Sequence, residues 1–465
     1  MSQIIQKVVV GLGKTGLSCA RFLCQQGFAV AVTDSRDNPP GLAAVLAEYP
    51  GVVVSVGAFD QSLMLAAEEL VVSPGVSLQE PAVKAAVAAG VPAIGDIELF
   101  SRYIPRENTT IVAITGSNAK STVTTLVGDM IQQAGHTVIV AGNIGLPVMD
   151  ILLQGQSAEF YVLELSSFQL ETTYNLKANV ATILNLSPDH LDRYDGMQGY
   201  IAAKQRIYSG CDTAIANADD QATLPTDSLD CRVLTFTSSS SLELPQAGYY
   251  YATAGEKETL CHNDNKVIDL ADIALSGGHN LQNAIAALTI GQAIGLSDES
   301  MAITLSTFSG LAHRCQIIAK QDNVAWINDS KGTNTGATIA ALNGLGPLYQ
   351  SGIVLIAGGV AKGADFSQLV PAVSAYVSDA VLIGADAKQL DAALNNDCDI
   401  HHVDSLALAV DKSRGLVKSG GAVLLSPACA SFDMFSGFED RGNQFIELVN
   451  NVTSGDRLQG GMNCA

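Results

Sequence analysis

Short apolar runs alternate with amphipathic stretches along almost the whole chain. Near the N-terminus "KVVVG" leads into a helical stretch, "GLSCARFLCQQG", and a second run, "AVAVTD", follows. "GVVVSVG", "ELVVSPG" and "VPAIG" continue the series, with the alanine-rich helix "EPAVKAAVAAG" before the last. Strands that are apolar throughout, separated by helices, predict a parallel sheet covered on both faces. "DIELFSRYIPRENTT", Asp96 to Thr110, reads as a crossing into a second unit, where "EFYVLELSS" and "NVATILNLSPDHLD" supply further strands.

The second unit opens on "TTIVAITGSNAKSTVTTLVGDMIQQAG", a strand, a loop and a helix. After Lys120 the apolar residues Val123, Leu126, Val127, Met130 and Ile131 recur at helical spacing, and Gly135 is a natural stop. Between Cys231 and Leu270 the alternation and turn residues predict antiparallel strands with a serine-rich connection. The helix "HNLQNAIAALTIGQAIG" closes this unit. A third alternating section starts near "FSGLAHR" and carries "VAWINDS", "GIVLIAGG", "DAVLIGA" and "GAVLLSPA". The fold class is therefore α/β with three domains, at residues 1–98, 99–310 and 311–465.

Composition narrows the function. Hydrophobic residues are 48% of 465, enough for several cores, and the formal charge is −21. Such a balance argues against nucleic acid or an anionic membrane surface as the main partner, but not against a small anionic substrate at a local site. Nine cysteines lie scattered without a C-x-x-C pair, as expected of reduced thiols. No basic leader opens the chain, and no apolar run nears the roughly 18 residues a bilayer span needs. A cytoplasmic protein without a membrane span is expected.

Several strand ends carry candidate chemistry. "GLGKTG", Gly11 to Gly16, fits G-x-G-x-x-G between a strand and a helix, and Asp34 ends the next strand. Such glycines admit a diphosphate to backbone amides and such an acid takes ribose hydroxyls, although a tight turn without ligand has the same pattern. A nicotinamide cofactor is one candidate among several. Lys120 and Ser121 fall at a helix start, where free amides and the dipole favour phosphate. The strict G-x-x-x-x-G-K-[ST] pattern fails at Ile114 and Ala119. If Ala119 needs a positive φ, its methyl costs on the order of 1 kcal/mol. Glu164 and His190 end strands and Lys204 lies on a following helix. With a loop serine, the carboxylate and imidazole make a magnesium-facing set, beside which a lysine is odd unless modified or bound to phosphate. Asn280 and Asn283 share a helix face. Asp329, Lys331, Thr333, Asn334, Lys362 and the hydroxyl-rich "LLSPACASFDMFSGFEDRG" form a polar and basic edge in the third section. His136, His262, His401 and His402 read as surface residues without a role.

Taken together, "TGSNAKST", "GNIG", "ELSSFQLE", "NLSPDHLDRY", "AAKQRIY", "GGHNLQN", "LAHR", "DSKGTN", "GGVAKGADF" and "LLSPACASFDMF" closely resemble the Mur ligases, in family order and almost end to end. The family pattern is T-G-x-N-G-K-[ST], from which only Ala119 departs. The resemblance implies a Rossmann-like UDP-binding domain, a central ATPase domain and a C-terminal Rossmann-like domain. It implies an ATP-dependent ligase that adds D-glutamate to UDP-N-acetylmuramoyl-L-alanine through an acyl phosphate, acting as a monomer. Thr15, Asp34, Ser35, Arg36 and Gly75 would hold the uridine diphosphate end, and Asn143, Gln169 and His190 the muramoyl-peptide side. Gly116, Ser117, Asn118, Ala119, Lys120, Ser121 and Thr122 would cradle ATP, with Asn283, Arg314 and Asp329 also touching it. Ser121, Glu164, His190 and Lys204 would face two magnesium ions, Lys204 as a carbamylated lysine, which removes the puzzle of its charge. Lys331, Thr333, Lys362, Ser431, Phe432 and Phe438 would form the D-glutamate pocket. Phe432 stands where leucine is common and Val360 where many members carry an acid. Other readings are a Mur-type ligase for a different amino acid, a folylpolyglutamate-type ligase, or a nicotinamide-dependent dehydrogenase.

Overall fold

A computed structural model describes residues 5–191, 193–226, 230–238, 249–254, 257–263, 265–275, 278–308 and 310–459. The chain divides into two compact units. The first comprises Met1–Leu186, Gln198–Asp272 and Asn283–Ser306; the second comprises Ser187–Met197, Ile273–Gln282 and Thr307–Ala465.

The first unit holds two parallel sheets. Strands β1 (Lys7–Val10), β2 (Val30–Asp34), β3 (Val53–Val56), β4 (Glu69–Val72) and β5 (Ala93–Ile94) stand in the order β3-β2-β1-β4-β5. All its pairs are parallel, as the unbroken apolar runs predict. The order reverses between β1 and β4, which opens a crevice beyond their carboxyl ends. The second sheet contains β6 (Thr110–Thr115), β7 (Val138–Gly142), β8 (Phe160–Glu164), β9 (Val180–Ile183), β10 (Thr213–Asn217) and β11 (Arg232–Phe236). Its order is β11-β10-β9-β6-β8-β7, parallel throughout. One core runs from Val9 and Val32 through Ile97 and Phe100 to Ile111 and Leu163, so both sheets bury surface against shared side chains.

The crossing read at Asp96 to Thr110 opens with the helix Asp96–Tyr103, which buries Ile97, Leu99 and Phe100 in that shared core. An expectation changes here. The antiparallel region is smaller than the alternation implied. β11 joins the parallel sheet beside β10, and among the described residues of this region β12 (Tyr249–Ala254), β13 (Lys257–His262) and β14 (Asn265–Asp269) pair antiparallel. Most of the serine-rich connection lies outside the described residues. His262 is no surface residue: its ring stacks on Tyr249 and bonds Asp298 and Gln292, tying this small sheet to the helices after it.

The second unit is built on β15 (Gln316–Gln321), β16 (Val324–Asn328), β17 (Ile353–Gly358), β18 (Val377–Ile383), β19 (Asp399–His402) and β20 (Ala422–Leu425). Their order is β15-β16-β20-β17-β18-β19, parallel except for β15. Separate apolar clusters cover its two faces, one around Leu355 and Leu424 and one around Trp326 and Phe445. No helix among the described residues is long and apolar enough to cross a membrane. The eight described cysteines are all free thiols.

Candidate active site

The crevice beyond β1 and β4 is a cavity of about 670 Å³ lined by Thr15, Asp34, Ser35, Arg36, Gly75, Asn143 and Gln169 among others. Seven of the eight residues expected at the UDP-linked substrate therefore share one surface. Its floor depends on close backbone approach: a Cβ on Gly16 would collide with the carbonyl of Gly11. Asp34 is buried and its carboxylate is committed within the protein. Leu12 N–H donates to Oδ2 (2.6 Å), and Arg36 donates from its backbone N–H, Nε and Nη2 (2.9, 2.9 and 2.7 Å). Burial raises the Asp34 pKa, but the Arg36 guanidinium and the two backbone N–H groups outweigh it and hold the acid at about 2. Asp34 thus fixes the glycine loop and aims Arg36 at the cavity, a role that its place at a strand end did not reveal.

Beyond β6 stand the loop and the helix Lys120–Gln133, where the phosphate cradle is expected. The five apolar residues named for this helix are all fully buried. Ala119, the residue before the helix, has φ 64° and ψ −4°, so the alanine adopts the left-handed conformation that favours glycine. The loop is held from outside: Asn118 N–H donates to Asn185 Oδ1 (2.8 Å), Asn185 Nδ2 returns a bond to Asn118 O (3.2 Å), and Ser117 N–H donates to Asn185 O (2.9 Å). Lys120 Nζ donates to the carbonyls of Gly116 and Ser117 at 2.9 and 3.0 Å, within its own loop.

Glu164 ends β8, which lies beside the edge strand β7 of the same sheet. Its Oε1 accepts from Asn143 Nδ2 (2.7 Å), while Oε2 is buried without a hydrogen-bond partner among the described residues. The close approach is enforced by Gly142, whose φ is 104° and whose missing Cβ would strike the Glu164 carbonyl. An orphaned carboxylate oxygen with a helix-start serine, Ser121, is an all-oxygen donor set of the kind magnesium takes. Lys204 is only 1% exposed, and its Nζ donates to Thr115 Oγ1 (3.1 Å) and Gly116 O (2.9 Å) above the Tyr200 ring. Asn283 also belongs to the first unit, buried on the helix Gly278–Ala293.

The remaining residues belong to the second unit. His190, at φ 54°, sits with Asp189, whose carboxylate meets the His190 ring (3.6 Å), Lys362 Nζ (3.5 Å) and Asn334 Nδ2 (3.2 Å). Asp329 follows β16 and accepts from Cys315 N–H (3.1 Å) and Ser426 Oγ (2.7 Å). Burial pushes its pKa up to about 6, against the pull of Ser426 and the Arg314 guanidinium. Lys331 Nζ lies 3.7 Å from the centre of the Phe438 ring. Ser431 is buried, Phe432 is 76% exposed, and Thr333 N–H donates to Lys331 O (2.8 Å). Sequence reasoning passed over Arg441, in "FEDRG". It is fully buried and donates to Ser330 Oγ (2.9 Å), Ser330 O (2.8 Å) and Cys429 O (3.3 Å), clamping the segments that carry Lys331 and Ser431. An arginine beside small polar residues after the last strand was the available signal.

Three family models match in order: a Mur ligase MurD-like N-terminal domain over residues 5–95, a Mur ligase middle domain over 114–291, and a Mur ligase glutamate ligase domain over 313–429. The chain belongs to the Mur ligase family. Among its relatives, the UDP-N-acetylmuramoylalanine–D-glutamate ligase of Nitrosococcus oceani is 48% identical over 450 residues, covering 96% of this chain and 97% of that one. The enzyme of the same name from Pseudomonas fluorescens is 47% identical over 445 residues, 95% and 97% of the two chains. Solved structures share the fold at low identity. The UDP-N-acetylmuramate-alanine ligase MurC of Thermotoga maritima superposes with a TM-score of 0.59 at 17% identity, covering 96% of this chain and 99% of that one. MurF from Acinetobacter baumannii gives 0.57 at 15%, covering 96% and 94%.

Proposed function

We propose that the protein is an ATP-dependent ligase joining D-glutamate to UDP-N-acetylmuramoyl-L-alanine through an acyl phosphate, a step in making peptidoglycan precursors in the cytoplasm. One observation carries the reading: the cavity beyond β1 and β4 gathers seven residues of the UDP-substrate pattern, in the same unit as the cradle at Lys120. Relatives bearing that activity in their names match nearly the full chain. Residues 1–98 would serve the UDP end, 99–310 ATP, and 311–465 D-glutamate. Membership of the ligase family sets the dehydrogenase alternative aside.

A free carboxylate is a poor acyl donor, because its leaving group would be oxide. ATP with magnesium supplies, when bound, the phosphoryl group that turns this into a phosphate leaving group. The residues present fit that chemistry. Lys120 exchanges two local carbonyl bonds for phosphate oxygens, and the first N–H groups of its helix offer further donors. Ser121, Glu164 and a carbamylated Lys204 would hold magnesium, and His190 would also touch metal. Carbon dioxide added to the buried Lys204 amine replaces an ammonium with an anionic ligand. Lys331 and Lys362 would neutralise the carboxylates of D-glutamate, local attraction in a chain whose net charge is −21. Thr333, Ser431 and Phe438 would complete that pocket, with Arg314 and Asp329 at the nucleotide. The glutamate amine attacks the activated carbonyl, and phosphate departs with the electrons of the C–O bond.

The test mixes purified protein with ATP, magnesium, UDP-N-acetylmuramoyl-L-alanine and a panel of amino acids, and follows phosphate. Release that requires all components and D-glutamate is expected. Equal release with a diamino acid would remove the specificity assigned here.

A further inference from the structure

The helix Asp96–Tyr103 reaches the cavity from behind. Gly95 N–H donates to Thr172 O at 3.0 Å, and a Cβ on Gly95 would strike Thr172 Oγ1, so the start of this helix lies hard against the end of the helix Ser167–Glu171. Across that contact Gln169 Nε2 donates to Asp96 Oδ2 at 3.0 Å, and both residues are 3% exposed. The other end of the same carboxamide is also fixed: Gln169 Oε1 accepts from Ser166 N–H (3.1 Å) and Ser166 Oγ (3.2 Å), closing a capping box. Turning the amide over would set donor against donor at Ser166 and oxygen against oxygen at Asp96. The orientation of Gln169 is therefore determined by its neighbours at both ends.

We propose that Asp96 is a positioning residue for the UDP-linked substrate, locking the Gln169 carboxamide so that its second N–H is presented to the cavity. This rests on the reading of that cavity given above. The carboxylate is a costly choice for structure alone. Its Oδ1 is buried without a hydrogen-bond partner among the described residues, and burial raises its pKa to about 6. Asparagine would fill the same space, accept the same bond and carry no buried charge. What the acid adds is a charge-assisted bond to Nε2, which polarises the amide and makes its remaining N–H a stronger donor. Gln169 is the only cavity-lining residue to which Asp96 bonds among the described contacts.

The experiment first establishes, with the unaltered protein, ATP-dependent ligation and calorimetric binding of UDP-N-acetylmuramoyl-L-alanine. Absence of both would defeat the functional reading rather than this inference. Asp96→Ala, Asp96→Asn, Gln169→Ala and the double variants are then compared. Asp96→Ala should weaken the UDP-linked substrate about tenfold, and KM for ATP and for D-glutamate should stay within about twofold. Asp96→Asn should recover only part of that loss, since its amide oxygen still accepts from Gln169 but without the charge that strengthens the remaining N–H. In the Gln169→Ala background neither change at Asp96 should cost anything further. Parallel rises in all three KM values, or a full additional loss in the Gln169→Ala background, would show that Asp96 acts on the fold and not through Gln169. Should Asp96→Ala not fold, the Asp96→Asn and Gln169→Ala pair decides by the same additivity rule.

Discussion

Replacing Ala119 by glycine should do the reverse of what such a change does elsewhere in this protein. The alanine stands at φ 64°, where an L-residue pays about 1–2 kcal/mol for crowding of its Cβ. Glycine relieves that crowding, but it loosens the unfolded chain by about 0.4–1 kcal/mol. Loss of one buried methyl subtracts up to about 0.8 kcal/mol more. The net effect lies between about −0.8 and +1.6 kcal/mol, close to neutral or stabilising. Ala85→Gly, inside the helix Pro81–Ala88, meets no such relief and should cost about 0.5–1 kcal/mol. The assay is hydrogen exchange on each helix, because Trp326, the one tryptophan, lies in the other unit and would not sense either change. A difference of 1 kcal/mol alters exchange of the affected amides about fivefold. Amides of Lys120–Gln133 should exchange no faster in the glycine variant, while those of Pro81–Ala88 speed up. Equal acceleration in both helices would refute a left-handed alanine at this turn. Strain relieved alike in free and occupied loops cancels from affinity, so a tenfold gain in ATP binding would instead mean that the methyl meets a phosphate.

Other changes have equally definite outcomes. Lys120→Ala should abolish phosphate release, with circular dichroism checking that the variant is folded. Asp34 is held at about 2 against an ordinary 3.8, so its stabilisation is present above pH 4 and lost as the pH falls towards 2. Asp34→Asn should therefore cost about 2 kcal/mol at pH 7 and almost nothing at pH 2, read from urea melts at each pH. Asp96 has the opposite sign: its raised pKa makes stability fall as the pH climbs from about 4 to 6, so Asp96→Asn should melt higher than the parent at pH 8 and alike below pH 4. Arg441→Met leaves buried carbonyls of Ser330 and Cys429 without donors, and should lower stability by about 2–4 kcal/mol and raise KM for D-glutamate, measured by melting and steady-state kinetics.

Periodicity and local chemistry made much of this molecule legible from its residues alone. The unbroken apolar runs announced parallel strands because a strand buried on both faces has no polar side to show. The spacing from Val123 to Ile131 marked the buried face of one helix for the same reason. The glycine pattern at Gly11 to Gly16 marked the turn after β1, because close backbone approach there leaves no room for a Cβ. Partnership across distance was not legible. β11 has the alternation of an antiparallel strand yet pairs with β10 in parallel, since a short strand carries no mark of its neighbour. The segment after β5 became a helix because Ile97, Leu99 and Phe100 found a core shared by two sheets.

The amino acids themselves thus determined the layered α/β class, the positions of the loops and the types of side chain at each strand end. Such properties follow from repeats a few residues long. Tertiary structure alone decided which of those side chains keep their polar atoms for a ligand. Asp34 spends its carboxylate on Leu12 and Arg36, Gln169 is pinned by Asp96, and Ala119 bears a left-handed backbone in a loop gripped by Asn185, 67 residues further along the chain from Asn118. Hydrogen bonds of that kind are set by where the whole chain packs, and no local pattern of residues encodes them.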